Sequence, residues 1–528
     1  MKKPLRLLFV TIVPLLVCAC GENLFEQYAN MPKDNASKTV SEVWTPSSCT
    51  IDQVVLKSFE IKSLSNGNVL ADMSFQYRND STYSARVSHY SLAKDGIVPT
   101  WNGIAARVTV NGEDQVPGST AVDFSSPVKY RFYASDGQYR EISFVLEQGD
   151  CSGLPVMSMI SDRMISDRYT WIPVTFKLTL PSEDRVVLSG TANARFLNDN
   201  SMPSEKKSFE LESDKAVSPL GMGPGRKWNL ISNVPDRTYL RNKVAGEISS
   251  ILDLPLAPSS EYCELFVNGE YMGLYLLSET VSAGVKMTDA GQEDAQDPEQ
   301  SDYLFKLDWN NEGGQFKTAV MELPVNIIYP AGVSQSGELY ARQCFKRIEQ
   351  CLYQKELPDP EYRNLLDMAS FAGSWIAFEL TICENSRVPS SVWYFKDAEG
   401  KLKAGPVWNS DAGTFNSTDQ FVLRDYETTD FNSNRRSLWY SRLFRDEEFV
   451  SAVKACWAQH KTELKNIVGF VDEQASVIGE TAKSTIQNWP TDRNSNLDSR
   501  LPWNEAVDSL KDVLTSRWTF LDKSITSW

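Results

Sequence analysis

Residues 263–279 read CELFVNGEYMGLYLLSE, and two strand-like stretches stand inside this segment, Glu264 to Val267 and Gly273 to Leu277. Just upstream the period changes. Leu240, Val244, Ile248 and Leu252 recur at helical spacing behind Asp236, which is placed to cap a helix N-terminus. Strand and helix periods mixed along one stretch define an α+β domain. Further strand-like runs at Val174 to Leu180 and Phe209 to Leu211, with a helical pattern through Leu510, Val513, Leu514 and Leu521, extend this domain over residues 151–528. Two polar stretches, Ala283 to Asp302 and Thr414 to Ser437, read as exposed loops within it.

Ahead of this domain the apolar residues alternate. Val69, Ala71, Met73, Phe75 and Tyr77 follow the turn dipeptide Asn66-Gly67, Val108 and Val110 lead to Asn111-Gly112, and Val128, Tyr130 and Phe132 run to Asp136-Gly137, with Ile142, Phe144 and Leu146 beyond. Short strands separated by turns predict an all-β, immunoglobulin-like sandwich over residues 47–150. It carries no catalytic constellation, so a spacer or binding role is its default.

Lys2, Lys3 and Arg6 precede an apolar run from Leu7 to Val17, which has the size of a secretory segment and is too short for a permanent membrane helix. Its end, Val17-Cys18-Ala19-Cys20, resembles a bacterial lipobox. Residues 1–19 are therefore expected to be a lipoprotein signal peptide, Cys20 the lipidated residue, and residues 20–46 a tether. The expected location is the bacterial cell envelope, with the chain anchored to a membrane (the outer one by preference) and facing the periplasm or the exterior.

Composition narrows the chemistry. The chain has 528 residues, 53 basic against 69 acidic, and a net charge of -16, which argues against a nucleic-acid partner. Apolar residues make up 41% and the chain holds 24 Phe, 20 Tyr and 14 Trp, enough for large cores. Only His89 and His460 are present, so a histidine-rich metal site is excluded. No CxxC pair occurs among the cysteines, which removes zinc ribbons and thioredoxin-like chemistry. A bridge between Cys49 and Cys151 competes with buried free thiols, and the thiols are the preferred reading. Trp489 to Trp503 reads as core in preference to a ligand platform.

Three segments could carry chemistry. In KKSFELE, Phe209 and Leu211 face one side, while Lys206, Ser208 and Glu210 face the other, so a lysine on a strand could point into a cleft and meet phosphate oxygens. Two solvated lysines at a strand edge are the competing reading. Leu220 to Trp228 is glycine-rich and basic but lacks the ending of a Walker loop, and a turn explains it equally well. Glu379 to Gly413 reads helix, loop, strand, turn, strand, which would bring Glu384 or Asn385 near the Asn409 to Asp411 segment. Oxygen ligands converging there could hold a divalent cation, and a carboxylate could orient an attacking hydroxyl.

Taken together, GLPVMSM (153–159), EKKSFELE (205–212), RKWNLISNVPDRTYLRNKVAGEI (226–248), CELFVNGEYMGLYLLSE (263–279) and KLKAGPVWNSDAG (401–413) resemble the CotH-type spore-coat kinase family in order and spacing. The preceding β-domain is similar to the one that accompanies this module in lipoproteins of Bacteroidetes-type bacteria. The resemblance implies an atypical protein-kinase fold that uses ATP with Mg or Mn to phosphorylate serine. By the same resemblance Lys206 would contact nucleotide phosphates, with Lys207 as fallback. Glu279 would orient the lysine, Asp411 would bind the metal, and Asn409 would stand where the family has an aspartate. The catalytic aspartate of the loop falls at Glu384 or Asn385, and the family's RGNS-like stretch is altered to Arg195-Phe196-Leu197-Asn198-Asp199-Asn200-Ser201.

Asparagine can coordinate a metal but brings no charge and cannot take a hydroxyl proton. Two functions are therefore expected in competition. One is a Ser/Thr kinase acting on envelope or secreted proteins, weakened or lost through these changes; the other is an inactive surface adaptor, binding glycan or protein, on the same fold. A glycoside hydrolase ranks last, since no motif selects a carboxylate pair.

Overall fold

The computed structural model describes residues 44–528 apart from 63–64, 67–72, 80, 88–95, 149–151, 181–184, 269, 282–297, 310–314, 384–388, 399, 416–437, 491–495, 497 and 499. The signal peptide, Cys20 and most of the tether, His89, Cys151, Glu384, Asn385 and most of both polar loops lie outside the described residues.

Nine strands come first: β1 (Val55–Ile61), β2 (Met73–Ser74), β3 (Gln76–Asn79), β4 (Thr82–Val87), β5 (Pro99–Ile104), β6 (Arg107–Val110), β7 (Glu113–Asp114), β8 (Val128–Tyr133) and β9 (Tyr139–Gln148). They form a sheet of order β2-β1-β5 and a second of order β3-β4-β9-β8-β6-β7. The expected alternation holds in β8, where Val128, Tyr130 and Phe132 are buried and Lys129 and Arg131 are exposed. Rings join the sheets: Phe59 of β1 stacks 3.7 Å from Phe144 of β9, and Trp101 of β5 lies 5.7 Å from Tyr130 of β8. Between β6 and β7 the turn residues Asn111 and Gly112 have φ of 52° and 91°, the left-handed backbone that a tight hairpin requires.

The next seven strands close into a barrel. They are β10 (Val156–Ile160), β11 (Ile172–Leu180), β12 (Arg185–Phe196), β13 (Phe209–Val217), β14 (Gly225–Ile231), β15 (Ser260–Val267) and β16 (Glu270–Glu279), in the order β10-β11-β12-β13-β14-β16-β15. Parallel pairing of β10 with β15 completes the ring. Phe176, Phe209, Leu211, Trp228, Leu265 and Tyr275 belong to the core cluster of the barrel. Helix α1 (Arg241–Ile251) separates β14 from β15. Asp236 does not occupy its N-cap, as its spacing suggested; Leu240 does, and Asp236 Oδ2 instead accepts the Arg241 N–H at 2.8 Å.

A five-stranded sheet and helices make the remainder. The strands are β17 (Tyr303–Leu307), β18 (Phe316–Lys317), β19 (Pro324–Tyr329), β20 (Val392–Lys396) and β21 (Leu402–Ala404), in the order β18-β19-β17-β20-β21. The helices are α2 (Gln335–Tyr353), α3 (Tyr362–Leu365), α4 (Met368–Thr381), α5 (Tyr440–Leu443), α6 (Glu447–Lys465), α7 (Ile467–Asn488) and α8 (Trp503–Thr526). Helix α4 is apolar nearly all round, buried from Ser370 to Thr381, and serves as the centre of the helical part. Helix α7 packs on β16 at Gly273, whose φ is 81°. A Cβ at this position would stand 2.8 Å from Trp489 and 2.9 Å from Thr485, so glycine is required by contact and by conformation. Trp503 is core as expected, its Nε1 donating to Thr238 O at 3.1 Å. Cys49, Cys263, Cys344, Cys351, Cys383 and Cys456 are free thiols.

Candidate functional site

In β14, Trp228 and Leu230 turn into the barrel, which leaves Asn229 and Ile231 on its outer face. Across from them, Lys306 of β17 and Trp393 of β20 look back. A cavity of about 150 Å³ lies between, with Asp199, Asn242 and Asn409 also in its lining. Lys306 pairs with Asp308 at 2.8 Å. Asn229 Oδ1, Trp393 Nε1 and Asp199 Oδ2 are buried without a protein partner. The cavity is thus polar and hungry for hydrogen bonds, yet half the lower end of the roughly 300–1,000 Å³ usual for ligand pockets.

A second carboxylate, Asp411, lies close enough to Asp199 to feel its charge, though it is not part of the lining. Asp411 is fully buried, and its Oδ1 accepts from Asn200 Nδ2 at 2.7 Å, while its Oδ2 has no partner. Asp199 Oδ1 accepts from Ser201 N at 2.9 Å and from Ser201 Oγ at 2.5 Å. Burial, then the charge of Asp199, pushes the Asp411 carboxyl up to about 7, and burial likewise raises Asp199. The loop bearing Asp411 is held by carboxamides: Asn242 Oδ1 accepts from Ser410 N at 2.6 Å, and Asn496 Nδ2 donates to Asp411 O at 2.6 Å.

Lys206 is not in this cleft. Strand β13 begins only at Phe209, so the alternation of the strand does not govern the lysine, which lies in the preceding bend. Its side chain is fully buried, with Nζ donating to Leu274 O at 2.7 Å and Ser232 O at 3.2 Å, 3.5 Å from the centre of the Tyr275 ring. Burial holds its pKa well below the ordinary lysine value. Lys207 is half-buried, donates to Met202 O at 2.5 Å, and of the two lysines is the one that feels the charge of Asp199.

Glu279 is not beside Lys206 either. It ends β16 opposite Trp228, and its Oε2 accepts from Ser259 N at 2.9 Å. Leu274, which Lys206 touches, is five positions back along the same strand, roughly 17 Å at about 3.4 Å per residue. Asn409 does line the cavity, in left-handed backbone with φ of 64°, a conformation asparagine tolerates better than most residues. Sequence reasoning missed Asn242, Lys306, Trp393 and Asn496 as site residues. Asp199 and Asn200 were visible only as part of the altered 195–201 stretch.

A closed barrel set against a helical half, with a polar cavity lined by Asp199, Lys306 and Asn409, places the protein in a kinase-like α+β class. The chain belongs to the CotH kinase family: the family model for the CotH kinase protein matches residues 195–521. No curated protein matches the chain.

The family implies a nucleotide and a metal, and the residues fit the two unequally. The partnerless oxygens of Asp199 and Asp411 suit a hard divalent cation, which would neutralise phosphate charge when bound. A nucleotide does not fit: the cavity is small, and the lysine expected to meet its phosphates is sealed elsewhere.

Proposed function

We propose that the chain is an exported lipoprotein of the cell envelope, anchored to a membrane through Cys20, which uses the CotH fold as a recognition scaffold and has lost efficient phosphoryl transfer. The observation that carries this reading is the position of Lys206, whose ammonium is satisfied by two backbone carbonyls and the face of Tyr275. Phosphoryl transfer is almost entirely positioning and electrostatic stabilisation, so an ammonium committed elsewhere removes a main contributor. Asn409 adds to the deficit, since an amide brings neither charge nor basicity. The envelope is also a compartment where ATP is not expected to be abundant.

A second reading, a Ser/Thr kinase acting on envelope proteins with Mg- or Mn-ATP, draws on one observation, the neighbouring buried carboxylates of Asp199 and Asp411. Incubating the full-length protein with labelled ATP and Mn²⁺, beside Lys206→Ala and Asp411→Asn, separates the two. Incorporation at the same background in all three supports the scaffold. Incorporation by the wild type that disappears in both variants overturns it in favour of the kinase.

A further inference from the structure

Resting on the scaffold reading, we infer that the cavity between β14 and β20 binds a neutral sugar ring, the end residue of a glycan chain. Its two walls differ in chemistry. The barrel side presents carboxamides, Asn198, Asn229 and Asn242, and the opposite side presents two indoles, Trp393 and Trp408.

A pyranose has the matching asymmetry. Its ring carries C–H groups that pack on an aromatic face, and its rim carries hydroxyls that both give and accept. An amide side chain offers an acceptor oxygen and two donor hydrogens in one planar group, which suits neighbouring hydroxyls. Trp393 is 8% exposed and Asn229 4%, yet Trp393 Nε1 and Asn229 Oδ1 have no protein partner. The first is a donor and the second an acceptor. A phosphate, which only accepts when fully ionised, could satisfy the indole but not the amide oxygen; a hydroxyl satisfies either.

Charge points the same way. Lys306, the one cation among the described lining residues, pairs with Asp308 at 2.8 Å, and Glu210 pairs with Arg195 at 2.7 Å. Burial pushes Asp199 toward its neutral form. The lining therefore holds no uncompensated cation to select an anion, and a neutral ligand meets no charge it must neutralise. The volume, about 150 Å³, is on the scale of a single ring with its hydroxyls, so a glycan chain enters by its end.

Saturation-transfer NMR on the full-length protein tests this. The probes are the methyl glycosides of glucose, galactose, mannose and N-acetylglucosamine at millimolar concentration, with adenosine as the rival. Transfer to the ring C–H protons of at least one glycoside is expected. Trp393→Phe keeps an aromatic ring and removes the Nε1 donor, while Asn229→Ala removes the acceptor; each should weaken that glycoside about three- to tenfold. Circular dichroism checks that each variant is folded, and if one is not, the other decides. Lys483→Ala, on α7 and outside the lining, should bind as the wild type does. The proposal is overturned if adenosine shows transfer and no glycoside does, if all probes are silent, or if a folded lining variant binds the glycoside as the wild type does. Silent glycosides leave the scaffold reading standing, whereas incorporation of labelled phosphate sinks that reading whatever the sugars do.

Discussion

Asn200 Nδ2 donates to Asp411 Oδ1 at 2.7 Å, a bond that spans 211 positions of the chain. It ties the turn after barrel strand β12 to the loop after β21. The same loop is held from the helix side by Asn242 and from the C-terminal side by Asn496. All three clamps are carboxamides, which donate and accept without titrating. The three amides therefore keep their state as pH changes, whereas the Asp411 carboxyl that accepts from Asn200, raised to about 7, does not.

Removing the first clamp should be felt in stability. Asn200→Ala leaves a buried carboxylate with one donor fewer, a loss of about 1–3 kcal/mol. Urea unfolding of the variant against the wild type measures it. A midpoint unchanged within error would mean that the bond does not form in solution.

Lys206 predicts a pH dependence. Its folded pKa is depressed by burial below the 10.5 of a free lysine, so the unfolded chain binds the proton more readily. The stability at stake is fully present above 10.5 and is lost as pH falls toward the depressed folded value. Wild-type stability should accordingly climb as pH rises toward 10.5. Lys206→Met, with no group to titrate, should lack that component of the rise. Guanidinium midpoints taken across the range decide it, and parallel curves would show the ammonium to be solvated after all.

How far the sequence reached can be argued from these same residues. The alternation of Val128, Tyr130 and Phe132 and the helical spacing of Leu240, Val244 and Ile248 are local, and the structure keeps both. Local period failed at Lys206 because a strand period holds only inside a strand, and β13 starts three residues later. Glu279 was misplaced for a related reason: its strand was read correctly, but the part of the strand that faces the lysine was not knowable from spacing. The carboxylate pair and the Asn496 clamp depend on contacts between distant segments, for which a single sequence carries no periodic signal. The parallel closure of β10 on β15 was hidden in the same way.

Among the described residues the most buried ion pair joins α8 to α4. Arg517 and Glu379 have no exposed surface, and Arg517 Nε also donates to Glu379 O at 2.8 Å. Removing one partner of such a pair strands the other charge in a dry core. Arg517→Ala should destabilise the protein by about 3–5 kcal/mol, whereas an exposed pair such as Lys483 with Glu480 should give under about 1 kcal/mol. Chemical denaturation of the two single variants, with Lys483→Ala as the second, makes the comparison.

Asp446 predicts the opposite pH behaviour from Lys206. It caps α6 by accepting from Glu448 N at 3.1 Å, and it receives both Arg363 Nε at 2.9 Å and Arg363 Nη2 at 2.7 Å, with the Tyr362 hydroxyl as a further donor. Burial works against its charge, but Arg363 and Tyr362 outweigh burial and hold the carboxyl below the ordinary value of 3.8. A depressed folded pKa gives stability that is present above 3.8 and lost as pH falls through the folded value. Asp446→Asn should therefore cost about 2 kcal/mol at neutral pH, discounted for the partly exposed Arg363, and the cost should shrink toward zero in acid as the wild-type carboxyl takes up its proton. Thermal unfolding of both proteins between about pH 7 and 3 tests this. Curves that stay equally far apart down to the acid end would assign the loss to geometry at the cap, with no share from the charge.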